Sequence, residues 1–267
     1  MKSIQSLMDL TGRVALITGG AGFIGYAMCE TLSELGASIV IVDNNEQKVA
    51  KAKKQLNQKY SNQITVIVDD LGSEKFIKSI PSQLKATIGR LDILINNAAF
   101  VGDSDLEGWV TDFENQSIST WNKALNINLT SAFTLTQACS DLLKDGGCGS
   151  VINIGSIYGV VGPDMSLYEN TKMGNPAAYA ASKGGLLQLT KWLSTIMAPD
   201  VRVNSLTPGG VFRGQPKSFI EKYIDRTPMK RMATEQDFKG SVAYLASDLS
   251  GYVTGQNLIV DGGWTVW

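Results

Sequence analysis

Histidine is absent from this chain of 267 residues, and with it go the commonest catalytic base near neutral pH and the commonest ligand of transition metals. Acid-base chemistry must fall to tyrosine, lysine or a carboxylate. Cysteine is nearly as scarce: Cys29, Cys139 and Cys148 are an odd number with neither metal-like nor redox-like spacing. The first two sit in helical patterns where small buried residues are usual, and all three read as structural. Net charge is also lacking, since 24 Lys and Arg against 25 Asp and Glu leave -1. That balance gives no electrostatic argument for nucleic acid or an acidic membrane. No apolar run reaches membrane-spanning length, and the opening MKSIQSLMDLTGR lacks the continuous apolar stretch of a signal peptide. The expectation is a soluble cytoplasmic protein acting on a small molecule, without metal, membrane or nucleic acid.

What the chain does have is apolar residues, at 43% of the total, enough to bury one substantial core. Short apolar runs alternate with helical stretches: VALIT at 14–18, SIVIVD at 38–43, ITVIVD at 64–69, LDILIN at 91–96, SVINIG at 150–155, VRVNSL at 201–206 and NLIVDG at 257–262. Continuously apolar strands separated by helices are the pattern of a parallel sheet covered on both faces. The fold class is therefore α/β, doubly wound, in a single domain over residues 1–267, with no internal repeat or interdomain linker.

Directly after the first of these strands comes TGGAGFIG, Thr18 to Gly25, leading into the helical stretch AMCETLSELG. Gly19, Gly22 and Gly25 have the spacing by which a strand turns tightly, backbone N–H groups approach a pyrophosphate, and a helix N-terminus offers its positive dipole. The second strand ends in Asp43, 18 residues beyond Gly25. A carboxylate there accepts hydrogen bonds from ribose hydroxyls and repels a 2′-phosphate, and no Arg or Lys occupies the glycine loop, so NAD is favoured over NADP. The same position also suits an acidic cap on the next helix.

Two copies of Tyr-x-x-x-Lys follow, Tyr168/Lys172 in YENTK and Tyr179/Lys183 in YAASK. On a helix this spacing puts phenol and ammonium on one face, and a nearby positive charge favours phenolate, which suits an acid-base group. The second copy opens the amphipathic run AAYAASKGGLLQLTKWLSTIM, with Leu186, Leu189, Leu193 and Met197 at three- and four-residue steps. The first is followed by Met173, Gly174, Asn175 and Pro176, which read as a turn. Spacing to Ser156 favours the first copy, at 12 residues against 23; context favours Tyr179, and Tyr179 is chosen.

Together these motifs resemble the short-chain dehydrogenase/reductase family along essentially the whole chain. Asp70-Leu71 resembles its adenine-flanking pair, NNAA at 96–99 its NNAG strand end, and TPGGV at 207–211 its Pro-Gly loop beside the nicotinamide. Asn128 in NINL matches the helix asparagine and Ser156 in NIGS the catalytic serine. The resemblance implies a single-domain Rossmann fold and a catalytic set of Asn128, Ser156, Tyr179 and Lys183. In it Tyr179 exchanges the proton, Ser156 orients the substrate oxygen, Lys183 lowers the tyrosine pKa and holds the nicotinamide ribose, and Asn128 positions a relay water. It further implies cofactor binding by Gly19, Gly22, Phe23, Ile24, Gly25, Asp43, Asp70, Leu71, Asn97, Ala98, Ala99, Tyr179, Lys183, Pro208, Gly209 and Val211.

Three features depart from the classical pattern. The loop spacing TGxxGxxG is that of extended members, although the chain is of classical length. Arg213 stands where threonine is common. The segment GPDMSLYENTKMGNP at 162–176 resembles an insertion at the substrate entrance. The SIYG…NP-AAYAASKGG layout is similar to that of oxidoreductases of bacterial surface and flagellin sugar modification, including nonulosonic-acid pathways.

The resemblance thus implies an NAD-dependent oxidoreductase interconverting a secondary alcohol and a ketone on a sugar, sugar phosphate or nucleotide-activated sugar. A 3-oxoacyl-thioester reductase and a non-catalytic dinucleotide sensor are the alternatives. A substrate-covering segment is expected at about 213–232, where Arg213, Lys217, Lys222, Arg226, Lys230 and Arg231 outnumber Glu221 and Asp225. That excess would attract a phosphorylated or carboxylated substrate, if it is not simply a solvated face. Trp109, Tyr158, Tyr168 and Phe212 are candidates for an apolar or sugar-stacking wall. A homodimer or homotetramer is expected, with the apolar ending GGWTVW suited to burial against a neighbour or within its own subunit.

Overall fold

The computed structural model describes residues 1–101 and 105–267. Strands β1 (Val14–Thr18), β2 (Ser38–Asp43), β3 (Ile64–Val68), β4 (Ile93–Asn96), β5 (Gly149–Ile154), β6 (Val201–Pro208) and β7 (Asn257–Val260) form one sheet in the order β3-β2-β1-β4-β5-β6-β7. Every neighbouring pair is parallel. The helices are α1 (Ile4–Met8), α2 (Phe23–Glu34), α3 (Glu46–Lys59), α4 (Glu74–Thr87), α5 (Ile118–Leu125), α6 (Ser131–Ala138), α7 (Ser140–Asp145), α8 (Ala177–Met197), α9 (Lys217–Arg226) and α10 (Lys239–Ala246). All seven expected strands are present. The last is shorter than the apolar run suggests, because the Asp261 carboxylate accepts from the N–H groups of Gly263 and Thr265 and curls the chain away after Val260.

Alternation along each strand explains the two covered faces. Ala15, Ile17, Ile39 and Ile41 point to one side and pack with Met28, Leu32, Val49, Leu56, Val242 and Leu245 from α2, α3 and α10. Val14, Leu16, Val40 and Val42 point to the other and meet Phe76, Ile80, Leu84, Leu135, Leu193 and Met197 from α4, α6 and α8. Strands buried on both faces have no polar side, which is why their sequences read as unbroken apolar runs. Cys29 and Cys139 are buried among these side chains. Among the described residues no helix is long and apolar enough to cross a membrane.

From β1 the chain steps outward through β2 to β3, then returns to lay β4 on the other side of β1. Such a reversal leaves a crevice beyond the carboxyl ends of the two central strands. Thr18, the last residue of β1, clamps that crevice: its buried hydroxyl accepts from Asn97 N and Ala98 N, both at 3.0 Å. A polar chain then ties the helices to the sheet, Asn96 Nδ2 donating to Asn153 Oδ1 (2.8 Å) and Thr136 Oγ1 (3.2 Å), and Asn153 Nδ2 to Thr190 Oγ1 (2.9 Å) on α8. Buried amides and hydroxyls are tolerated here because each has a partner.

Residues 162–176 and the segment around α9 form one cap over this end. Leu167 and Tyr168 pack with Phe219, Tyr223, Met232 and Trp264. Arg226 pairs with Asp164 at 2.6 Å and Lys222 with Glu169 at 3.0 Å. Trp264 is fully buried within its own chain, stacked on Tyr223 at 5.8 Å, whereas Trp267 is exposed.

Replacing Thr18 by valine keeps the shape but strands the Ala98 N–H group, while Asn97 N–H keeps its bond to Ile95 O at 3.1 Å. Urea unfolding is expected to register a loss of roughly 1–2 kcal/mol; an unchanged midpoint would show that the Ala98 N–H does not depend on the hydroxyl.

Candidate active site

The glycine loop is built for close approach. Gly19 takes φ +63°, and a Cβ on Gly25 would lie 2.2 Å from Gly19 O and 2.8 Å from Asn97 Nδ2. Asn97 Nδ2 in turn donates to Thr18 O (2.9 Å) and Gly19 O (3.1 Å), fixing the loop from the β4 side. Gly22 is the N-cap of α2 and supplies no side-chain cap, so the first N–H groups of that helix face the crevice without a protein side-chain partner, as an anion site requires. These features fit a dinucleotide pyrophosphate. Ile24 packs on the core and Phe23 is exposed.

Asp43 is not the cap of α3. Asn45 is, accepting from Lys48 N at 2.9 Å. The Asp43 carboxylate instead accepts from Ala21 N in the glycine loop and from Asn45 N, both at 3.2 Å, and so stands at the mouth of that loop with acceptor capacity left. Asp70 follows β3 and turns its carboxylate onto Gly72 N (2.8 Å), while Leu71 is buried. Pro208, Gly209 and Val211 leave the end of β6; a Cβ on Gly209 would be 2.7 Å from Asp261 Cα. Arg213 reaches across to the other wall, its guanidinium 4.3 Å from the centre of the Phe23 ring and 2.8 Å from Glu235. Nothing in the glycine motif signalled this contact, which joins two loops far apart in sequence.

Tyr179 sits in the first turn of α8 and Lys183 one turn on. Lys183 Nζ is buried, 5.9 Å from the Tyr179 ring centre, and donates to Ile154 O at 2.7 Å. Ser156, two residues past β5, faces the same cavity as the Tyr179 phenol. Burial raises the phenol above its ordinary pKa, opposed by the nearby Ser156 hydroxyl, and burial pushes the Lys183 amine down to about 8. Desolvation, more than the neighbouring amine, therefore governs the tyrosine in this arrangement.

Asn128 lies in a turn of π-helix, Asn126–Thr130, between α5 and α6. Its side chain accepts from Phe100 N (2.6 Å) and donates to Phe100 O (3.2 Å) and Ser182 Oγ (3.0 Å), while Ser182 Oγ donates to Tyr179 O (2.8 Å). Ser182 was missed by the sequence reading, although it lies inside YAASK. Asn128 thus joins the segment after β4, which contains Ala98 and Ala99, to the tyrosine helix.

The duplicate motif has no helical geometry. Tyr168 ends a short 3-10 turn, Met165–Tyr168, and Asn170 then takes φ +58°, so Lys172 is not carried onto the same helical face. Tyr168 O–H donates instead to Tyr158 Oη at 2.6 Å.

Ser156 and Tyr179 open into a cavity of about 250 Å³ whose walls include Trp109, Tyr158, Tyr168, Asn175, Gln215, Phe219 and Tyr223. Among the described residues no charged side chain lines it. Phe212, expected on this wall, is not there. Each expected cation of the covering segment is ion-paired: besides Arg213, Lys222 and Arg226, Lys217 meets Glu221, Lys230 meets Asp225 and Arg231 meets Asp237. The local basic excess is spent on carboxylates, several of them outside the segment.

Residues 19–265 match a family model described as enoyl-(acyl carrier protein) reductase. The post-translational flagellin modification protein A of Campylobacter coli is 29% identical, covering 96% of this chain and 99% of its own. Among solved structures, a short-chain dehydrogenase from Leptospira borgpetersenii with bound NAD+ is 34% identical with a TM-score of 0.82, covering 99% of this chain and 96% of its own. A Beutenbergia cavernae protein described as an NAD(P)-dependent gluconate 5-dehydrogenase, with bound NADP, is 29% identical with a TM-score of 0.86 and covers 98% of this chain and 100% of its own.

The depressed Lys183 pKa sets a pH window. Between about 8 and the ordinary 10.5 the unfolded chain holds this proton and the folded chain has lost it, so the wild type gains stability as pH rises through that range. Relative to Lys183→Met, the wild type is expected to gain about 3 kcal/mol of stability between pH 7 and pH 10.5 in cofactor-free protein. Urea unfolding at a series of pH values measures it; a pH-independent difference would place the amine elsewhere.

Proposed function

The chain belongs to the short-chain dehydrogenase/reductase family, and on that premise we propose that it is an NAD-dependent oxidoreductase interconverting a secondary alcohol and a ketone on a sugar or nucleotide-activated sugar. The family is one of oxidoreductases acting on CH–OH groups with NAD(P). The observation that carries the proposal is that Ser156 and Tyr179 open together into a cavity walled by aromatic rings, phenols and amides, with no charged side chain in its lining among the described residues. Aromatic faces and uncharged polar groups suit a hydroxylated ring. A phosphate or nucleotide on the same molecule would lie outside this cavity.

Bound in the crevice, the nicotinamide supplies or accepts hydride. Gly19, Gly22 and Gly25 would hold its pyrophosphate at the N-terminus of α2, Asp43 would hold its adenosine ribose, and Asp70 and Leu71 would flank the adenine. Asn97, Ala98 and Ala99, with Pro208, Gly209 and Val211, would bound the nicotinamide half. Lys183, donating to Ile154 O, has further N–H groups for the nicotinamide ribose.

In the reducing direction Tyr179, kept protonated by burial, donates its proton to the substrate oxygen as charge develops there, and Ser156 donates a hydrogen bond to the same oxygen. In the oxidising direction Tyr179 must first be deprotonated, and a Lys183 ammonium freed toward it would stabilise the phenolate. Asn128, committed to Phe100 and Ser182, serves chiefly to hold the tyrosine helix.

A 3-oxoacyl-thioester reductase is favoured by the 31% identity of a 3-oxoacyl-[acyl-carrier-protein] reductase of Rickettsia felis over 96% of this chain, but the cations that would meet a phosphopantetheine carrier are already paired. That Ser156 and Tyr179 open into one cavity speaks against a sensor without catalysis. Exposed Trp192 and Ile196 on α8 support a homo-oligomer.

Tyr179→Phe is expected to slow single-turnover hydride transfer roughly 10²- to 10⁴-fold, and Tyr168→Phe by less than about ten-fold; the reverse order would move the acid to the duplicate motif. Calorimetric titration is expected to give tighter binding of NAD than NADP, with Asp43→Ser shifting the ratio of dissociation constants toward NADP by roughly ten-fold or more. A ratio indifferent to the substitution would remove Asp43 from cofactor choice.

A further inference from the structure

Arg213 joins the two loops that bound the cofactor crevice. It leaves the loop after β6, and its guanidinium lies 4.3 Å from the centre of the ring of Phe23, the first residue of α2. The loop is pinned on both sides of it. Phe212 N donates to Ala233 O at 2.9 Å, Arg213 N to Gln215 Oε1 at 2.7 Å, and Gln215 Nε2 to Val211 O at 2.8 Å. The side chain is left to span the gap.

The electrostatics of that place call for an anion. The N–H groups of Phe23, Ile24 and Gly25 open α2 without a partner among the described residues, and the positive end of the helix dipole lies there. A cation belongs at the opposite end of a helix. Here a guanidinium covers the ring of the helix's first residue, one side chain away from those three N–H groups, and only part of it is engaged. Nη1 donates to Phe212 O at 2.7 Å and meets Glu235 at 2.8 Å, whereas Nη2 and Nε have no acceptor among the described residues. The side chain is partly exposed, so a ligand can reach it. A phosphate accepts from backbone N–H groups and from the planar guanidinium fork alike. We propose that Arg213 is a clasp on the bound dinucleotide: its free edge donates to the pyrophosphate that the N-terminus of α2 holds, and its contact with Phe23 closes the crevice over it. The inference rests on the cofactor reading above and adds the residue that governs how fast the cofactor leaves. A threonine at this place brings neither the charge nor the reach to Phe23.

The probes are ADP-ribose, which carries the pyrophosphate without a nicotinamide, and NADH, whose fluorescence reports its release. Arg213→Met keeps an apolar stem over Phe23 and removes the charge; Arg213→Lys restores the charge without the fork. Calorimetric titration is expected to show ADP-ribose binding at least about ten-fold weaker to Arg213→Met, with Arg213→Lys between that variant and the wild type. The affinity of the wild type should fall more steeply with added NaCl than that of Arg213→Met. In stopped-flow displacement NADH should leave Arg213→Met about ten-fold faster than the wild type, and Phe23→Ala faster by a smaller factor. Thermal unfolding without ligand separates loss of the clasp from a misfolded chain. An ADP-ribose affinity unmoved by Arg213→Met, or a loss that Arg213→Lys does not reduce, would overturn the proposal. Absence of hydride transfer on alcohols and ketones, with these binding differences intact, would count against the redox reading while leaving the clasp supported.

Discussion

One buried hydrogen bond, from Lys183 Nζ to the carbonyl of Ile154 at 2.7 Å, connects the end of a central strand to the long helix across it. Ser156 follows the strand by two residues and Tyr179 precedes the lysine by one helical turn. The bond thereby holds the hydroxyl and the phenol against one another. An amine taken fully out of water loses much of its preference for the charged form, and its pKa drops to about 8. It persists because the carbonyl accepts from it and because α8 is independently fastened by Thr190 to Asn153 and by Ser182 to Asn128. A site assembled from several elements must have such ties on each of them.

The cofactor side follows the same logic with backbone in place of side chains. Asn97 and Thr18 bind the loop after β1 to the loop after β4, so the crevice at the reversal of strand order has fixed walls before any ligand arrives. Gly25 is required because the helix start passes within 2.2 Å, Cβ to oxygen, of Gly19. Arg213 lies across the outer rim on Phe23, a place where a classical threonine would leave the loops unconnected. The substrate side is closed by ion pairs from α9 to residues 164 and 169, and among the described residues no charged side chain lines the cavity beneath them.

Much of this was legible in the sequence because local pattern and global position agree. Strands buried on both faces must be apolar throughout, so all seven announced themselves. Gly19, Gly22 and Gly25 fall between a strand and a helix, and Tyr179 opens a long amphipathic run while Tyr168 is followed by a turn. Pairing was not legible. The cations between 213 and 232 read as a basic excess because Asp164, Glu169, Glu235 and Asp237 lie outside that window, and only the fold brings them together. Asp43 suited an acidic cap by position, and the fold gives that role to Asn45, whose side chain accepts from Lys48 N.

The account stands on the identity of the group that meets the substrate oxygen. A crystal structure of the ternary complex with NADH and an unreactive ketone analogue measures this directly. Tyr179 Oη and Ser156 Oγ are expected within about 2.6–3.2 Å of the ketone oxygen, with Tyr168 Oη still on Tyr158. A ketone oxygen held by Tyr168, or by neither tyrosine, would contradict it.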